Sequence, residues 1–283
     1  MHTEESLYLL DAQDMRACPG VGDIANVRVR TIRSGDQIEC ECYPIHKPGS
    51  GSRRRRREAG TSEAQEAVNR RNVARQITRY LNANFCAADI HITATYADGQ
   101  LPPTEKDAQR ELAAYMRRLR RMFGRMQRQG RISQGAEFKY LYVSEYASRD
   151  GEPVRIHHHI VCNLPDRDAA ESCWRAGRAN ADRLQPDRYG FTALAKYLTK
   201  APRNKRKWDK SRNLRPPRVT TADKKLSRRQ MLRIAEAADT EAKAIFTRLY
   251  PGCEYLDCEV RRSEWVQGAY IYARMRRTDG KTT

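Results

Sequence analysis

Two alternating segments in the middle of the chain, joined by a tight turn, constrain its fold more than any other feature. The first reads EFKYLYVSEY over residues 137–146, and the second reads IHHHIVCN over residues 156–163. Alternation of apolar and polar residues predicts a strand, and the Asp150-Gly151 pair between the segments favours a reversal of the chain. The sequence therefore predicts an antiparallel β-hairpin, and its second strand carries three consecutive histidines.

Further strands and helices are predicted on both sides of this hairpin. Alternation predicts strands over residues 23–46, 89–96, 255–260 and 269–275. Apolar stripes and capping residues predict helices over residues 62–84, 104–129, 168–178, 191–200 and 227–249, and residues 203–218 are predicted as a loop. This order predicts an α+β protein with a central, largely antiparallel sheet. Its helices are expected to pack on one face, which leaves the other face free for a site.

A change in composition divides the chain into three segments. Residues 47–60, KPGSGSRRRRREAG, combine the glycine and serine of a flexible linker with a strongly basic run. We therefore predict an N-terminal β-hairpin region and basic linker over residues 1–60. A core over residues 61–202 holds the histidine hairpin, and residues 203–283 form a C-terminal basic loop, helix and β-hairpin.

The net charge of +19 favours a polyanionic partner. Nucleic acid is the leading candidate, because each phosphate that pairs with Lys or Arg releases a bound counterion. The charge alone does not distinguish DNA from RNA, and it leaves open a basic protein with no such partner. The basic run is suited to gripping phosphates without reading bases, and its alternative is a solvated run with no partner. It consists of Arg53, Arg54, Arg55, Arg56 and Arg57.

The chain is expected to be cytoplasmic and to have no membrane partner. It contains no apolar stretch near the about 20 residues that span a bilayer. Acidic residues precede the short apolar run at its N-terminus, unlike the layout of a signal peptide. The eight cysteines form no Cys-x-x-Cys pair, so a zinc ribbon is disfavoured and free thiols are expected.

Two of the three consecutive histidines are predicted to converge on one metal ion. Because alternate side chains of a strand share a face, His157 and His159 point the same way about 6.5 Å apart, and His158 points the other way. Glu145 ends the preceding strand, where its carboxylate could complete the site. Two imidazoles, one carboxylate and open positions suit Mn²⁺ or Mg²⁺. The alternative is three histidines that line the surface or pack in the core without a metal.

The segment LAKYLTK, residues 194–200, offers a nucleophile. Tyr197 and Lys200 are three residues apart on a predicted helix, so they are neighbours on one face. A tyrosine oxygen can attack phosphorus and form a covalent phosphotyrosine. A nearby ammonium favours the phenolate and can also hold a phosphate oxygen. Tyr-x-x-Lys alone is common, so the segment acquires meaning only from its surroundings.

Three segments in this order resemble the motifs of rolling-circle replication initiators, the Rep proteins of the HUH endonuclease superfamily. The segments are DIHITATYADGQLPP, SEYASRDGEPVRIHHHIVCN and LAKYLTK. They look like the family's first strand followed by proline, its Glu-Tyr hairpin with a His-x-His strand, and its single-tyrosine helix. The resemblance covers roughly residues 85–200. The central position of the His-x-His strand is usually aliphatic in the family and is His158 here.

The resemblance implies a ferredoxin-like HUH palm that nicks and rejoins single-stranded DNA to start rolling-circle replication of a plasmid, phage or mobile element. Tyr197 would be the nucleophile and Lys200 its helper, and His157, His159 and Glu145 would hold a divalent metal. The implied partners are single-stranded DNA with an origin hairpin and a host polymerase. A host helicase is also implied, since no Gly-x-x-x-x-Gly-Lys-Ser/Thr motif is present. A homodimer is an option.

Three other functions remain open. A relaxase or a transposase would use the same chemistry. A basic nucleic-acid-binding protein would keep the fold without catalysis. A metal-dependent phosphodiesterase would use water in place of the tyrosine.

Overall fold

The computed structural model describes residues 24–46, 63–147, 153–200, 206–262 and 269–278. The helices and strands of these ranges are, in chain order, β1 (Ile24–Ser34), β2 (Gln37–His46), α1 (Glu63–Asn84), β3 (Ile90–Tyr96), α2 (Glu105–Arg128), β4 (Tyr140–Ala147), β5 (Pro153–Cys162), α3 (Arg167–Ser172), β6 (Gly177–Arg183), α4 (Thr192–Leu198), β7 (Arg206–Lys210), β8 (Arg218–Ala222), α5 (Arg228–Leu249), β9 (Cys253–Arg262) and β10 (Ala269–Arg277). The chain divides into two compact units. One comprises Met1–Asn72 and Pro216–Thr283, and the other comprises Val73–Arg215.

The first unit is an antiparallel sheet that packs against a helix. Its strand order is β8-β1-β2-β10-β9, so segments from both halves of the chain contribute neighbouring strands. The predicted turn joins β1 to β2 at Gly35, whose positive φ of 57° glycine adopts without strain. Helix α5 begins with a capping box formed by Ser227 and Gln230. Its buried Phe246 belongs to the same apolar cluster as Val29 of β1.

The second unit has β5 at the centre of its sheet. The strand order is β6-β3-β5-β4-β7, and every neighbouring pair is antiparallel. The predicted hairpin of β4 and β5 is therefore confirmed. The register places Glu145 opposite His157 and Thr93 opposite His159. The strand that carries the three histidines thus lies between two paired neighbours.

Helices pack on both faces of this second sheet. On one face, Leu119 of α2 shares a buried cluster with Ile160 of β5. On the other face, Leu81 of α1 and Leu198 of α4 share a cluster with Val161. The predicted α+β class with largely antiparallel sheets is confirmed. The expected arrangement of helices on one face differs from the structure, because β4 and β5 carry apolar side chains on both sides and each side is covered.

Two predictions of local structure are wrong, and the others are confirmed with boundary shifts of a few residues. The helix predicted over residues 168–178 ends at Ser172, and Gly177 begins strand β6. The loop predicted over residues 203–218 contains strand β7, which pairs with β4. Both strands lie at sheet edges, where exposed polar side chains replace the alternation that predicts a strand.

The domain boundaries at residues 60 and 202 stay a prediction, and the segments outside them contribute strands to the sheet of the first unit. The basic run Arg53 to Arg57 lies outside the described residues. The cysteines of the described ranges are free thiols. Within the same ranges, no helix has both the length and the apolar character needed to cross a bilayer.

Candidate active site

Strand β5 turns its three histidines alternately toward the two faces of the sheet, in the predicted register. His157 and His159 share the face of Val161, which α1 and α4 cover. His158 and Ile160 share the face that α2 covers. One strand therefore supplies two residues to a candidate site and one residue to the core.

His158 is a packing residue. Its ring is fully buried, with Tyr96 Oη 2.9 Å from its Nε2 and Ser144 Oγ 2.7 Å from its Nδ1. Burial lowers the pKa of His158 to about 3, so the ring is neutral at physiological pH. This environment agrees with the neutral, hydrogen-bonded ring that the sequence predicts.

Glu145, His157 and His159 form a compact group of potential metal ligands. Each residue offers one ligand atom, and these three atoms lie within 4.8 Å of one another. The antiparallel register brings them together, because Glu145 lies opposite His157 and His159 follows on the same face. Glu145 is almost fully buried at 1 % exposure. The three residues could therefore hold a metal ion, as the sequence predicts.

Two buried atoms of this group have no hydrogen-bond partner among the residues that the structure describes. They are Oε1 of Glu145 and Nε2 of His159. A buried polar atom without a partner is destabilising, and a carboxylate oxygen is among the most costly. A divalent cation between the three side chains would satisfy both atoms. The residues present thus fit a metal that prefers oxygen and nitrogen ligands, such as Mn²⁺ or Mg²⁺.

Hydrogen bonds orient the His157 ring toward Glu145. Its Nδ1–H donates to the backbone oxygen of Arg155 at 3.0 Å, and its Nε2 lies 3.0 Å from Glu145 Oε2. The hydrogen bond to Glu145 raises the pKa of His157. A cation bound by the same two atoms would replace the proton between them, because a metal binds the deprotonated ring nitrogen.

Tyr197 and Lys200 lie beside this group. The ring centroid of Tyr197 is 5.2 Å from that of His159, with the two rings edge to face. Helix α4 ends at Leu198, so Lys200 lies past the helix end and not on its face as predicted. Its Nζ still lies 4.5 Å from the Tyr197 ring centroid and 3.7 Å from Glu145 Oε2. The predicted site residues in the described ranges are thus together in one place.

A comparison with models of protein families covers the middle of the chain. Residues 89–202 match the family of replication-associated proteins of the ORF2 type. The matched segment supports a role in replication initiation, and it contains all residues of the candidate site. They are Glu145, His157, His159, Tyr197 and Lys200. Comparisons with curated proteins and with solved structures give no significant match.

His91, also in the matched segment, belongs to the site but was not selected from the sequence. Its Nε2 lies 3.2 Å from Nδ1 of His159, and the rings stack with centroids 5.3 Å apart. Burial lowers the pKa of His91 to about 4 and that of His159 to about 2, so both rings are neutral. His91 Nε2, or Thr93 Oγ1 at 3.3 Å, can therefore accept the Nδ1–H of His159. That bond directs the lone pair of His159 Nε2 to the metal position.

The sequence contained one signal for His91. In DIHITATY, His91, Thr93 and Thr95 alternate with the buried residues of β3, so they form a polar face. A polar face on a strand that helices cover on both sides indicates a site. Which strand pairs with which is a long-range property, so the contact between His91 and His159 could not be derived from local pattern.

Replacing His91 by alanine is expected to lower the affinity for Mn²⁺ by about 10- to 100-fold, because the outer hydrogen bond that orients a ligand is lost. His91→Gln keeps an acceptor and should lose less affinity. Isothermal titration calorimetry of both variants measures the difference. Equal losses in the two variants would show that the hydrogen bond does not orient His159.

Replacing His158 by alanine is expected to lower the free energy of unfolding by about 3 kcal/mol, because it leaves a cavity and two buried hydroxyls without a partner. Urea denaturation followed by circular dichroism measures the change. The folded variant should bind Mn²⁺ with unchanged affinity, since this ring points away from the ligand group. Unchanged stability combined with lost Mn²⁺ binding would contradict the packing role.

Proposed function

We propose that this protein nicks and rejoins single-stranded DNA at a replication origin and so initiates rolling-circle replication. Tyr197 is the nucleophile, and Glu145, His157 and His159 hold a divalent cation. One observation carries the proposal. The Tyr197 ring packs 5.2 Å from His159, whose Nε2 is buried without a partner in the described part of the chain. A phenol beside a potential metal site is the arrangement that phosphoryl transfer to tyrosine requires.

The proposed reaction exchanges one phosphate ester for another. The oxygen of Tyr197 forms a bond to phosphorus, and the bond between phosphorus and the 3′ oxygen breaks. The phenol loses its proton to solvent, and the departing 3′ oxygen gains one. The downstream fragment remains attached as a 5′-phosphotyrosine. Because no water is consumed, the 3′-hydroxyl can attack the phosphotyrosine in the reverse direction and rejoin the strand.

The position of Tyr197 on α4 suits an attack on a strand that comes from solvent. Its side chain is 47 % exposed, whereas Ala195 and Leu198 of the same helix are fully buried. Those two residues share an apolar cluster with Val143 and Val161 of the sheet, which holds the helix in place. A DNA strand can therefore reach the phenol while the core stays closed.

Lys200 places a positive charge where the phosphate would bind. Its ammonium lies over the Tyr197 ring and within 3.7 Å of Glu145. From this position it can stabilise a phenolate and pair with a phosphate oxygen. When bound, a divalent cation would polarise the scissile phosphate and neutralise charge on its oxygens.

The proposed partners follow from this chemistry. An origin hairpin presents the single strand, the released 3′-hydroxyl primes a host polymerase, and a host helicase opens the duplex. A homodimer would supply a second tyrosine for the closing step. Arg53 to Arg57 would add phosphate contacts. Relaxases and transposases that use the same chemistry differ in the DNA that they process.

The test is a covalent-adduct assay with the full chain and Mn²⁺. The substrate is a pool of single-stranded hairpin oligonucleotides with randomised loops, labelled at the 5′ end in one reaction and at the 3′ end in another. A 5′-phosphotyrosine transfers only the 3′ label to the protein on a denaturing gel, and EDTA abolishes the transfer. Cleavage without transfer would indicate a phosphodiesterase that uses water. Binding without cleavage would indicate a non-catalytic nucleic-acid-binding protein.

A further inference from the structure

A pocket lies on the face of the second unit's sheet that is opposite to the metal-ligand group. It opens between α2 and the edge formed by β4 and β7, and its volume is about 270 Å³. Tyr140 and Tyr142 line it and alternate along β4 with Val143 and Glu145, which face the other side. The volume is just below the range of about 300–1,000 Å³ typical of small-molecule pockets. It therefore has room for one flat ring and little more.

The two tyrosines form an aromatic wall. Their ring centroids lie 6.5 Å apart and their planes differ by 18°. The hydroxyl of Tyr142 donates to Gln109 Oε1 at 3.4 Å, and the buried Leu112 and Met116 of α2 line the pocket as well. Half-buried rings held in similar orientations can stack on a flat ligand at low entropic cost.

Two arginines stand at the rim of the pocket. Arg117 and Arg120 are exposed on α2, and neither has a hydrogen bond or ion pair within the described ranges. Arg118 between them is different, because it pairs with Glu111 and donates to the backbone oxygen of Cys173. The rim therefore carries two available guanidinium groups, which suit the bidentate binding of phosphate.

An acidic side chain completes the pocket. Asp209 of β7 lies opposite Tyr142 in the register. Its Oδ1 accepts from the backbone N–H of Lys210 at 2.7 Å, which leaves Oδ2 to accept another hydrogen bond. A carboxylate beside aromatic rings can accept from the amino group of a nucleobase. Such a group would repel a phosphate, so the phosphates belong at the arginine rim.

We propose that this pocket binds one nucleobase of a single-stranded nucleic acid, stacked on Tyr140 and Tyr142, with the flanking phosphates on Arg117 and Arg120. Aromatic stacking with arginine contacts to the backbone is the common mode of single-strand binding. The inference goes beyond the nicking reaction, because the pocket faces away from Tyr197. It gives the strand a second attachment point that can hold DNA whether or not the tyrosine is linked to it.

The contribution of the arginines is tested by a charge-matched pair of double variants. Binding of a short labelled oligonucleotide is measured by fluorescence anisotropy in EDTA, which removes any contribution of the metal. Arg117→Gln with Arg120→Gln is expected to weaken binding by about 10-fold. Arg121→Gln with Arg128→Gln removes the same charge from the same helix outside the pocket, and it should weaken binding by about 2-fold. Equal losses in the two double variants would overturn the pocket and indicate charge alone.

The stacking is tested with Tyr140→Leu and two strands of equal length, one normal and one entirely abasic. The variant is expected to bind the normal strand about 10-fold more weakly. It should bind the abasic strand, which has no base to stack, as the unchanged protein does. A loss that is equal for both strands, or absent for both, would overturn the proposal. Thermal unfolding by circular dichroism verifies that the variant is folded.

Two further results separate this inference from its neighbours. A mixture of free mononucleotides that displaces the oligonucleotide as well as an unlabelled oligonucleotide does would show a pocket for free nucleotides, which contradicts binding of a strand. The covalent-adduct assay is run on the same variants. Adduct formation with unchanged strand affinity in the pocket variants would refute the pocket and leave the nicking reaction intact. Loss of strand affinity without any adduct in the unchanged protein would do the reverse.

Discussion

Tyr197→Phe is expected to abolish the covalent protein–DNA adduct and to reduce cleavage by at least about 1,000-fold. The phenylalanine ring can keep the packing against His159, which the ring centroids place at 5.2 Å, while the attacking oxygen is removed. The variant should therefore stay folded and bind Mn²⁺ and DNA with little change. The measurement is transfer of the 3′ label to the protein, together with single-turnover cleavage rates.

The matched control for this variant is Tyr189→Phe. Tyr189 lies in the turn before α4 and is half-buried, so it tests whether loss of any nearby phenol has the same effect. Adduct formation should be unchanged in the control. If Tyr197→Phe still forms an adduct, another residue is the nucleophile. If it cleaves at an unchanged rate without an adduct, water is the nucleophile and the tyrosine is not part of the reaction.

His159→Ala is expected to have the second largest effect and to lower the affinity for Mn²⁺ by more than about 100-fold. The substitution removes one of the three ligand atoms that lie within 4.8 Å of one another. Mn²⁺ should raise the melting temperature of the unchanged protein, because a ligand of the folded state stabilises it, and it should not raise that of the variant. Adduct formation should decrease together with Mn²⁺ binding.

The neighbouring His158 gives the comparison on the same strand. His158→Ala is expected to destabilise the protein and to keep its metal affinity, whereas His159→Ala is expected to do the reverse. Without a cation, His159→Ala removes a buried nitrogen that has no partner in the described part of the chain, so it should cost little stability. If Mn²⁺ stabilises the His159→Ala protein as much as the unchanged one, the metal binds elsewhere.

The ligand group could be predicted because it depends on local geometry. The period of two separates His157 and His159 from His158, and a hairpin with a short turn brings Glu145 opposite them. These arguments need only neighbouring segments of the chain. The position of Tyr197 against His159 required more, since α4 reaches the sheet through tertiary packing, and only the family resemblance suggested that contact.

The parts that could not be predicted depend on long-range pairing or lie at sheet edges. His91 meets His159 because β3 pairs with β5, and no local pattern selects that partner. Strands β6 and β7 each have one neighbour in the sheet and carry polar side chains, so their sequences read as helix and loop. The cover on the second face of the sheet was missed for a related reason. The apolar residues of β4 and β5 on both sides indicate it only once the strand order is known.

The sheet of the first unit also sets an order in which the protein can fold during synthesis. Strand β2 pairs with β10, and Tyr272 donates a hydrogen bond to Glu39, 233 residues away in the chain. The β1–β2 hairpin must therefore leave the ribosome long before the strand that covers its edge. The second unit is complete in sequence by Arg215 and can form in the interval. An uncovered strand edge can recruit other chains, so slow translation of the last segment should promote aggregation of the nascent protein.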